Sequence, residues 1–345
     1  MTAAPTMMTQ TDPGLAPLLA AAELWTLDAG QLTVASGTYG PHLGLKAAGA
    51  ETRLDGGEGA VGEAFQTGTA RIVAHVGEIG YLYRDAAAEA GVEASVLLPY
   101  VGAPEPDAPH GSVRGVLSLL LRGERPGDAA SKGAAELWAG TKGRFELSLE
   151  QSHYVGLDRF ARVSQFVNFP LGAGLPGLSW ANATAELVPD VATAKGFLRS
   201  SGAESDGLSV GLGLPVLRGS ELRSVLLLIS SRASPMACVH EVWKAPGVAP
   251  ADGQAQSPTP MTRDRGTYAG RVAVAEATSA LGERGSALVE QARRSGLPVL
   301  IDGPEAMREA EPDRADALER AGLHRAVALP VPTLHGVRSV AVLFL

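Results

Sequence analysis

The chain repeats one pattern three times, and this repeat limits its fold more than any other feature of the sequence. Each copy has an Ala- or Val-containing stretch that ends in Glu-Leu-Trp or Glu-Val-Trp, and later an apolar run with a proline, a polar loop and a second apolar run. The prolines Pro99, Pro215 and Pro330 stand 116 and 115 residues apart. A period of this length suits a complete domain with its own core rather than the short unit of a solenoid.

Other landmarks support the same three units. Gly91, Gly207 and Gly322 are also 116 and 115 residues apart. The spacing of the tryptophans varies more, which loop insertions explain. We predict a disordered tail at 1–15 and domains at 16–124, 125–232 and 233–345, each folding largely alone. The third domain carries a Pro/Gly/Ala-rich loop at 246–260, whose composition does not favour packing.

Within each unit the pattern predicts an opening helix that ends at the tryptophan, two strands, a second helix and a closing pair of strands. Only a few residues separate the last two strands, which is hairpin spacing. We therefore expect an α+β fold with mainly antiparallel sheets.

Composition excludes several classes of protein. The formal net charge is −8, which provides no basic field for nucleic acid. The single cysteine, Cys238, allows neither an intrachain disulfide nor a cysteine-based zinc site. No apolar run is long enough to span a bilayer. We expect a cytoplasmic protein without nucleic-acid or membrane partners.

The second unit resembles the GAF domains of bacterial signalling proteins. The residues that carry the resemblance are FPLGAGLPGLSWANATAELVPDV and the following GFLRSSGAESDGLSVGLGLPV. The third unit is similar through GSALVEQARRSGLPVLID, and the first is a looser match. The resemblance implies a central antiparallel sheet with helices on its faces and a pocket between the sheet and the loop-and-helix segment. It implies no reaction and no cofactor.

The stretch LGAGLPGLSW, at 171–180, has the glycines of a phosphate loop but lacks the Gly-Lys-Ser/Thr of a Walker motif. It fits the dinucleotide pattern Gly-x-Gly-x-x-Gly only formally. We interpret its glycines as turn residues that let Leu175, Leu178 and Trp180 enter the core. Glycines recur at the aligned positions of the first unit: Gly57, Gly59 and Gly62.

One arginine in each unit, Arg84, Arg199 and Arg314, lies just ahead of the landmark glycine. A guanidinium beside a pocket binds a carboxylate or phosphate through two hydrogen bonds. The alternative is a solvated helix face or a salt bridge such as Arg199 with Asp190. The seven histidines have no metal-site spacing, and we interpret Cys238 and His240 as a small buried residue beside an exposed histidine on the third opening helix.

These features predict a non-catalytic signalling or regulatory protein that binds a small molecule, a protein partner, or both. The candidate ligand-binding residues in the second unit are Trp180, Asp190, Phe197 and Arg199. The alternative is an assembly scaffold whose pockets have filled with side chains, forming a homodimer through the helices that begin and end each unit.

Overall fold

The computed structural model describes residues 17–76, 83–102, 111–124, 131–141, 144–246 and 259–345. Its strands form three antiparallel sheets, each flanked by helices, so the predicted α+β class is confirmed. We name the parts that carry these sheets units 1, 2 and 3. The predicted tail at 1–15 and most of the loop at 246–260 lie outside the described residues.

The three sheets share one strand order. It is β2-β1-β5-β4-β3 in unit 1, and units 2 and 3 repeat it as β7-β6-β11-β10-β9 and β13-β12-β16-β15-β14. Unit 2 adds an edge strand, β8, beside β7. The predicted domain boundaries at 124/125 and 232/233 remain predictions, and strands of different sheets lie on either side of each.

The elements of unit 1 are β1 (Leu19–Asp28), β2 (Gln31–Thr38), α1 (Leu43–Glu51), α2 (Gly59–Thr67), β3 (Arg71–Val73), α3 (Arg84–Glu89), β4 (Val92–Val101) and β5 (Val113–Arg122). Those of unit 2 are β6 (Gly133–Gly140), β7 (Glu146–Val155), α4 (Asp158–Ser164), β8 (Asn168–Pro170), α5 (Gly174–Asn182), β9 (Glu186–Val188), α6 (Ser200–Ser205), β10 (Leu208–Arg218) and β11 (Glu221–Ser231).

The elements of unit 3 are β12 (Val239–Lys244), β13 (Thr262–Thr267), α7 (Val272–Leu281), α8 (Ala287–Ser295), β14 (Val299–Asp302), α9 (Pro304–Ala310), α10 (Ala315–Arg320), β15 (Arg325–Thr333) and β16 (Gly336–Phe344). Short 3-10 turns at Gly282–Arg284 and Pro312–Arg314 connect its helices.

The predicted opening helices are wrong, because β1, β6 and β12 are strands. Each pairs with a neighbour on both edges and is buried on both faces. Strands buried in this way lack the polar–apolar alternation of a half-exposed strand. The helix propensity of alanine, leucine and glutamate is overridden here by pairing and burial.

A register shift recurs at the tryptophan of every opening strand. It falls between Leu24 and Trp25, and its counterparts fall directly before Trp138 and Trp243. In each case the partner strand has one extra residue, as in a β-bulge. The recurrence of this irregularity is strong structural evidence for the repeat.

The repeated prolines have one structural role. Pro99 lies opposite Val116, and the same pairing recurs for Pro215 and Pro330 with the valine of the following strand. On the other side, the short strands β3, β9 and β14 stop pairing two residues before the proline. Proline donates no backbone hydrogen bond, so it suits the point where pairing on that side has ended.

Each unit has its own core between the sheet and its helices. Trp25, Trp138 and Trp243 lie in three separate clusters, one per unit. The three tryptophans are almost fully buried. The sheet-and-helix interior predicted for each unit is therefore present three times.

The other faces of the three sheets pack together into a fourth, shared core. Its members include Ala22, Val96, Leu98, Leu117 and Leu119 of unit 1, Leu137, Leu212, Leu214, Leu226 and Leu228 of unit 2, and Val242, Val327, Leu329, Ala341 and Leu343 of unit 3. An isolated unit would expose this apolar face to water, so the shared core argues against units that each fold alone.

The units contact one another in a closed ring. Strand β3 lies against β6 and β7, its counterpart β9 lies against β12, and β14 lies against β1 and β2. In each contact, the same kind of strand of one unit meets the opening part of the next unit, so the contacts are head-to-tail. Such contacts form a closed ring of three when each unit is rotated by about a third of a turn from the one before. Polar contacts join each pair: Ile72 N donates to Gln151 Oε1 at 2.7 Å, Ala185 N to Ser339 Oγ at 2.8 Å, and Tyr39 N to Asp302 Oδ1 at 3.1 Å.

His240 is another correction. It lies on β12, not on a helix, and is 3% exposed rather than solvated. Burial lowers its pKa to about 4, so the imidazole is neutral at physiological pH. Cys238, directly before this strand, is half-buried.

Candidate functional site

A buried glutamate stands two residues before the tryptophan in every opening strand. Glu23, Glu136 and Glu241 are at most 1% exposed. Residues i and i+2 of a strand point to the same face, so each glutamate lies beside its tryptophan in the interior of its unit. The indole Nε1 of Trp138 donates to Glu136 Oε2 at 3.0 Å, and Trp243 does the same to Glu241. These glutamates were not among the residues predicted from the sequence, although Glu-x-Trp occurs in all three units.

In unit 2 the buried glutamate pairs with Arg199. The guanidinium donates from Nη1 to Glu136 Oε1 at 2.6 Å and from Nη2 to Oε2 at 2.9 Å. The same Nη1 donates to Ser164 Oγ, and the Tyr154 hydroxyl donates to Glu136 Oε1 at 2.7 Å. Both charged side chains are at most 1% exposed. A bidentate pair with further hydrogen bonds is the arrangement that offsets the cost of burying two charges.

Aromatic rings enclose the Arg199 guanidinium. Its central carbon lies 4.4 Å from the ring centre of Phe160, and three more rings have their centres within 5.7 Å: Trp138, Phe169 and Phe197. Cations bind over the faces of aromatic rings. The interior of unit 2 is thus an aromatic cage that holds a cation of the chain itself.

The four predicted site residues divide into two groups. Phe197 and Arg199 lie together in the interior, and Trp180 is half-buried on α5 against the same core. Asp190 lies apart from Arg199's ion pair: its Oδ2 is 3.7 Å from Arg232 Nη2, and its Oδ1 accepts from Ala192 N at 3.1 Å. The suggested salt bridge of Arg199 with Asp190 is therefore wrong, because Glu136 occupies the guanidinium.

Unit 3 repeats the ion pair with a second carboxylate. Arg314 Nη1 donates to Glu241 Oε1 at 2.7 Å, and its Nε donates to Glu311 Oε2 at 2.8 Å. Burial acts to raise the pKa of Glu241, but attraction to Arg314 and the hydrogen bonds to the carboxylate together outweigh it, so the pKa lies below its usual value. Burial acts to lower the pKa of Arg314, but the two carboxylates raise it above its ordinary value.

Unit 1 has the glutamate without the arginine. Arg84, at the aligned position, is exposed beside Asp85. The hydroxyl of Tyr39 donates to Glu23 Oε1 at 3.1 Å, and the hydroxyl of Tyr83 donates to Oε2. Burial raises the pKa of Glu23 to about 7, although both tyrosine hydrogen bonds act to lower it. Two neutral hydroxyls here replace the cation of the other units.

The glycine-rich stretch forms the corner before α5. Gly172 and Gly174 have positive φ values of 81° and 64°, and a Cβ on Gly177 would lie 2.2 Å from the Pro170 carbonyl oxygen. The interpretation as turn residues is consistent with this geometry. Leu175 enters the core as predicted, but Leu178 is exposed, so that part of the prediction is wrong.

A shallow groove of about 460 Å³ lies on the surface of unit 3. It runs along the first turns of α7, beside Tyr268, Arg271, Val272 and Ser279. No three His, Cys, Asp or Glu side chains in the described ranges are grouped closely enough to hold a metal ion. None of the helices in the same ranges is both long and apolar enough to cross a bilayer.

No family model matches the chain, and no curated protein matches it. Solved structures similar to part of the chain include GAF domains. The GAF domain of A. aeolicus nlh2 in an inactive state is 17% identical, with a TM-score of 0.23 over 28% of this chain and 57% of that chain.

Two further solved structures are similar to part of the chain. The free methionine-R-sulfoxide reductase from Neisseria meningitidis is 17% identical, with a TM-score of 0.23 over 30% of this chain and 53% of that one. A Staphylococcus aureus NreA protein mutated in its nitrate-binding site is 15% identical, with a TM-score of 0.26 over 36% and 85%. The chain spans little more than half the length of the A. aeolicus and Neisseria structures.

Proposed function

We propose that the chain is a non-catalytic, cytoplasmic assembly scaffold of three GAF-like domains, at 16–124, 125–232 and 233–345. It acts by presenting a rigid surface to other protein molecules, while its interiors are filled by its own side chains. The sequence predicts either a protein that binds a small molecule or a protein partner, or an assembly scaffold with filled pockets. The geometry favours the scaffold.

The observation that carries this proposal is the cage of unit 2. Glu136 and Arg199 satisfy each other's charges, and aromatic rings surround the guanidinium. A ligand that took the place of either partner of this pair would have to separate a buried, bidentate ion pair. Removing one partner from such a pair costs about 3–5 kcal/mol, because the other charge is left uncompensated.

One observation favours the competing proposal of a small-molecule site at Trp180, Asp190, Phe197 and Arg199. The Nε of Arg199 is buried and has no hydrogen-bond acceptor among the described residues. A buried donor without a partner is costly, and a small acceptor beside it would remove that cost. An anion at this atom would leave both hydrogen bonds to Glu136 intact.

Native mass spectrometry and thermal shift together separate the two proposals. The scaffold proposal predicts that the purified protein has the mass of its polypeptide, or of a whole number of copies of it, with no bound small molecule. It also predicts no rise in melting temperature with a panel of carboxylates, phosphates and nucleotides, since a ligand that binds only the folded state must stabilise it.

A co-purifying molecule would overturn the scaffold proposal. So would a ligand-dependent shift that is lost in Arg199→Lys and retained in Arg84→Ala. The second variant is the matched control, because Arg84 occupies the aligned position but is exposed.

A further inference from the structure

Unit 2 carries an exposed apolar surface that the described parts of units 1 and 3 lack. Of ten large hydrophobic side chains that are exposed in the described ranges, six fall in unit 2 and two in each of the others. Phe145 and Phe166 are 80% and 87% exposed. We call these six the unit 2 face: Phe145, Val163, Phe166, Leu171, Leu178 and Leu198.

The members of this face surround the edge strand β8. At one end of β8, Leu171 N donates to the Phe145 carbonyl oxygen at 2.9 Å. At the other end, Phe166 N donates to the Val163 carbonyl oxygen at 3.1 Å. Leu198 lies against Gly174, 3.8 Å from the point where a Cβ would stand. Leu178 follows Gly174 by four residues on α5, so both lie on one side of that helix.

The charge of this region differs from that of the whole chain. Residues 144–178 contain three arginines and three carboxylates, so they carry no net charge, and the net −8 of the chain lies elsewhere. A region without net charge adds little repulsion between two copies of the protein that meet through it. An anionic membrane would require an excess of basic residues, which is absent from these residues.

The size of the face matches one side of a dimer interface. Phenylalanine side chains offer about 150–250 Å² each, and with four partly exposed aliphatic side chains the face exposes on the order of 600 Å². This is at the upper limit of about 300–600 Å² for the largest apolar patch of a monomer. A stable interface buries about 800 Å² on each partner, so the polar margin supplies the remainder.

We propose that the unit 2 face is the interface of a twofold homodimer, with a second copy of this chain as its occupant. The mixed charges at its margin support this, because a twofold axis can place the arginines Arg159 and Arg162 opposite Asp158 of the second copy. The helix side of unit 2 is used, so the shared core and the ring of units remain undisturbed. Because the same patch is used on both copies, the assembly closes at two.

Sedimentation velocity between about 1 and 100 µM tests the proposal, since the fraction of protein in the dimer rises with concentration. The wild-type chain is expected to sediment as a dimer at the upper end. The double variant Phe145→Ser/Phe166→Ser is expected to raise the dissociation constant about a hundredfold or more, since both copies lose the two most exposed aromatic side chains of the face. Circular dichroism checks that the variant is folded.

The matched control is Leu43→Ser, since Leu43 is 70% exposed but belongs to unit 1. It is expected to leave the dissociation constant unchanged. A monomeric wild type at about 100 µM, or a control that weakens the dimer as much as the double variant, would overturn the proposal. Binding of a monomer to phosphatidylglycerol vesicles that is lost in the double variant would also overturn it. The readout is independent of any ligand in the interiors, so it stands or fails separately from the proposed function.

Discussion

The same substitution, glutamate to glutamine, is predicted to have opposite effects at aligned positions of units 1 and 2. Glu23 is buried beside two hydroxyls, while Glu136 is buried beside a guanidinium. Glutamine removes the charge and keeps the shape. It therefore stabilises the fold where the charge has no counterion, and destabilises it where the charge has one.

The magnitude at Glu23 follows from its pKa, which burial raises from 4.5 to about 7 in the folded protein. Each pKa unit corresponds to about 1.4 kcal/mol, so the ionised carboxylate costs about 3 kcal/mol of folding free energy. Below about pH 4.5 both states are protonated and the cost is absent. It grows as the pH rises towards 7 and is fully present above it. Glu23→Gln is thus expected to gain about 3 kcal/mol over wild type at pH 8 and almost nothing at pH 4.5.

At Glu136 the sign is reversed. Glu136→Gln leaves the Arg199 guanidinium buried without a counterion, which costs about 3–5 kcal/mol. Glu241→Gln is expected to cost less, because Arg314 keeps its hydrogen bond to Glu311.

Urea unfolding of each variant at pH 4.5 and pH 8, followed by tryptophan fluorescence, measures these differences. Exposed Glu89→Gln is the control for removal of a carboxylate. An equal gain of Glu23→Gln over wild type at both pH values would contradict the predicted effect of burial on Glu23. A Glu136→Gln variant as stable as the Glu89 variant would contradict the predicted role of the ion pair.

Three further perturbations test the packing. Asp302→Ala removes the acceptor for the Tyr39 and Gly40 amides, so it should lower the free energy of unfolding by about 1.5–3 kcal/mol and speed hydrogen exchange at those amides. Unchanged exchange there would contradict this contact between units 1 and 3. Leu214→Ala in the shared core should cost about 2–5 kcal/mol and keep one calorimetric transition, whereas separate transitions for the units would contradict a shared core. Gly177→Ala should lower stability by about 1–3 kcal/mol through the clash with the Pro170 carbonyl, and an unchanged melting temperature would refute the close approach.

The repeat allowed much of the fold to be predicted from the sequence. The constant spacing of the prolines predicted three equivalent hairpins, and the observed register repeats at each proline. Helix α3 ends before Gly91, whose φ of 68° is the conformation that favours glycine. These features depend on residues that are close in sequence.

The errors concern interactions between distant parts of the chain. The stretch PLLAAAELW has the local propensity of a helix, and only its neighbours β2 and β5 make it a strand. The sequence suggests Asp190 as one alternative partner of Arg199, but the observed partner Glu136 is 63 residues away on strand β6. The difference between units 1 and 2 also depends on contacts between residues that are distant in sequence. In unit 1, Tyr83 rather than its neighbour Arg84 contacts the buried glutamate Glu23.

The most direct test of a filled interior is the exchange of the Arg199 side-chain N–H protons with water, measured by NMR on arginine-labelled protein. The Arg199 side chain is 1% exposed, and its Nη1 and Nη2 both donate to Glu136. It should therefore show resolved Nη signals whose protons exchange far more slowly than those of exposed Arg84. Exchange of Arg199 as fast as that of Arg84 would contradict a closed interior and the scaffold built on it.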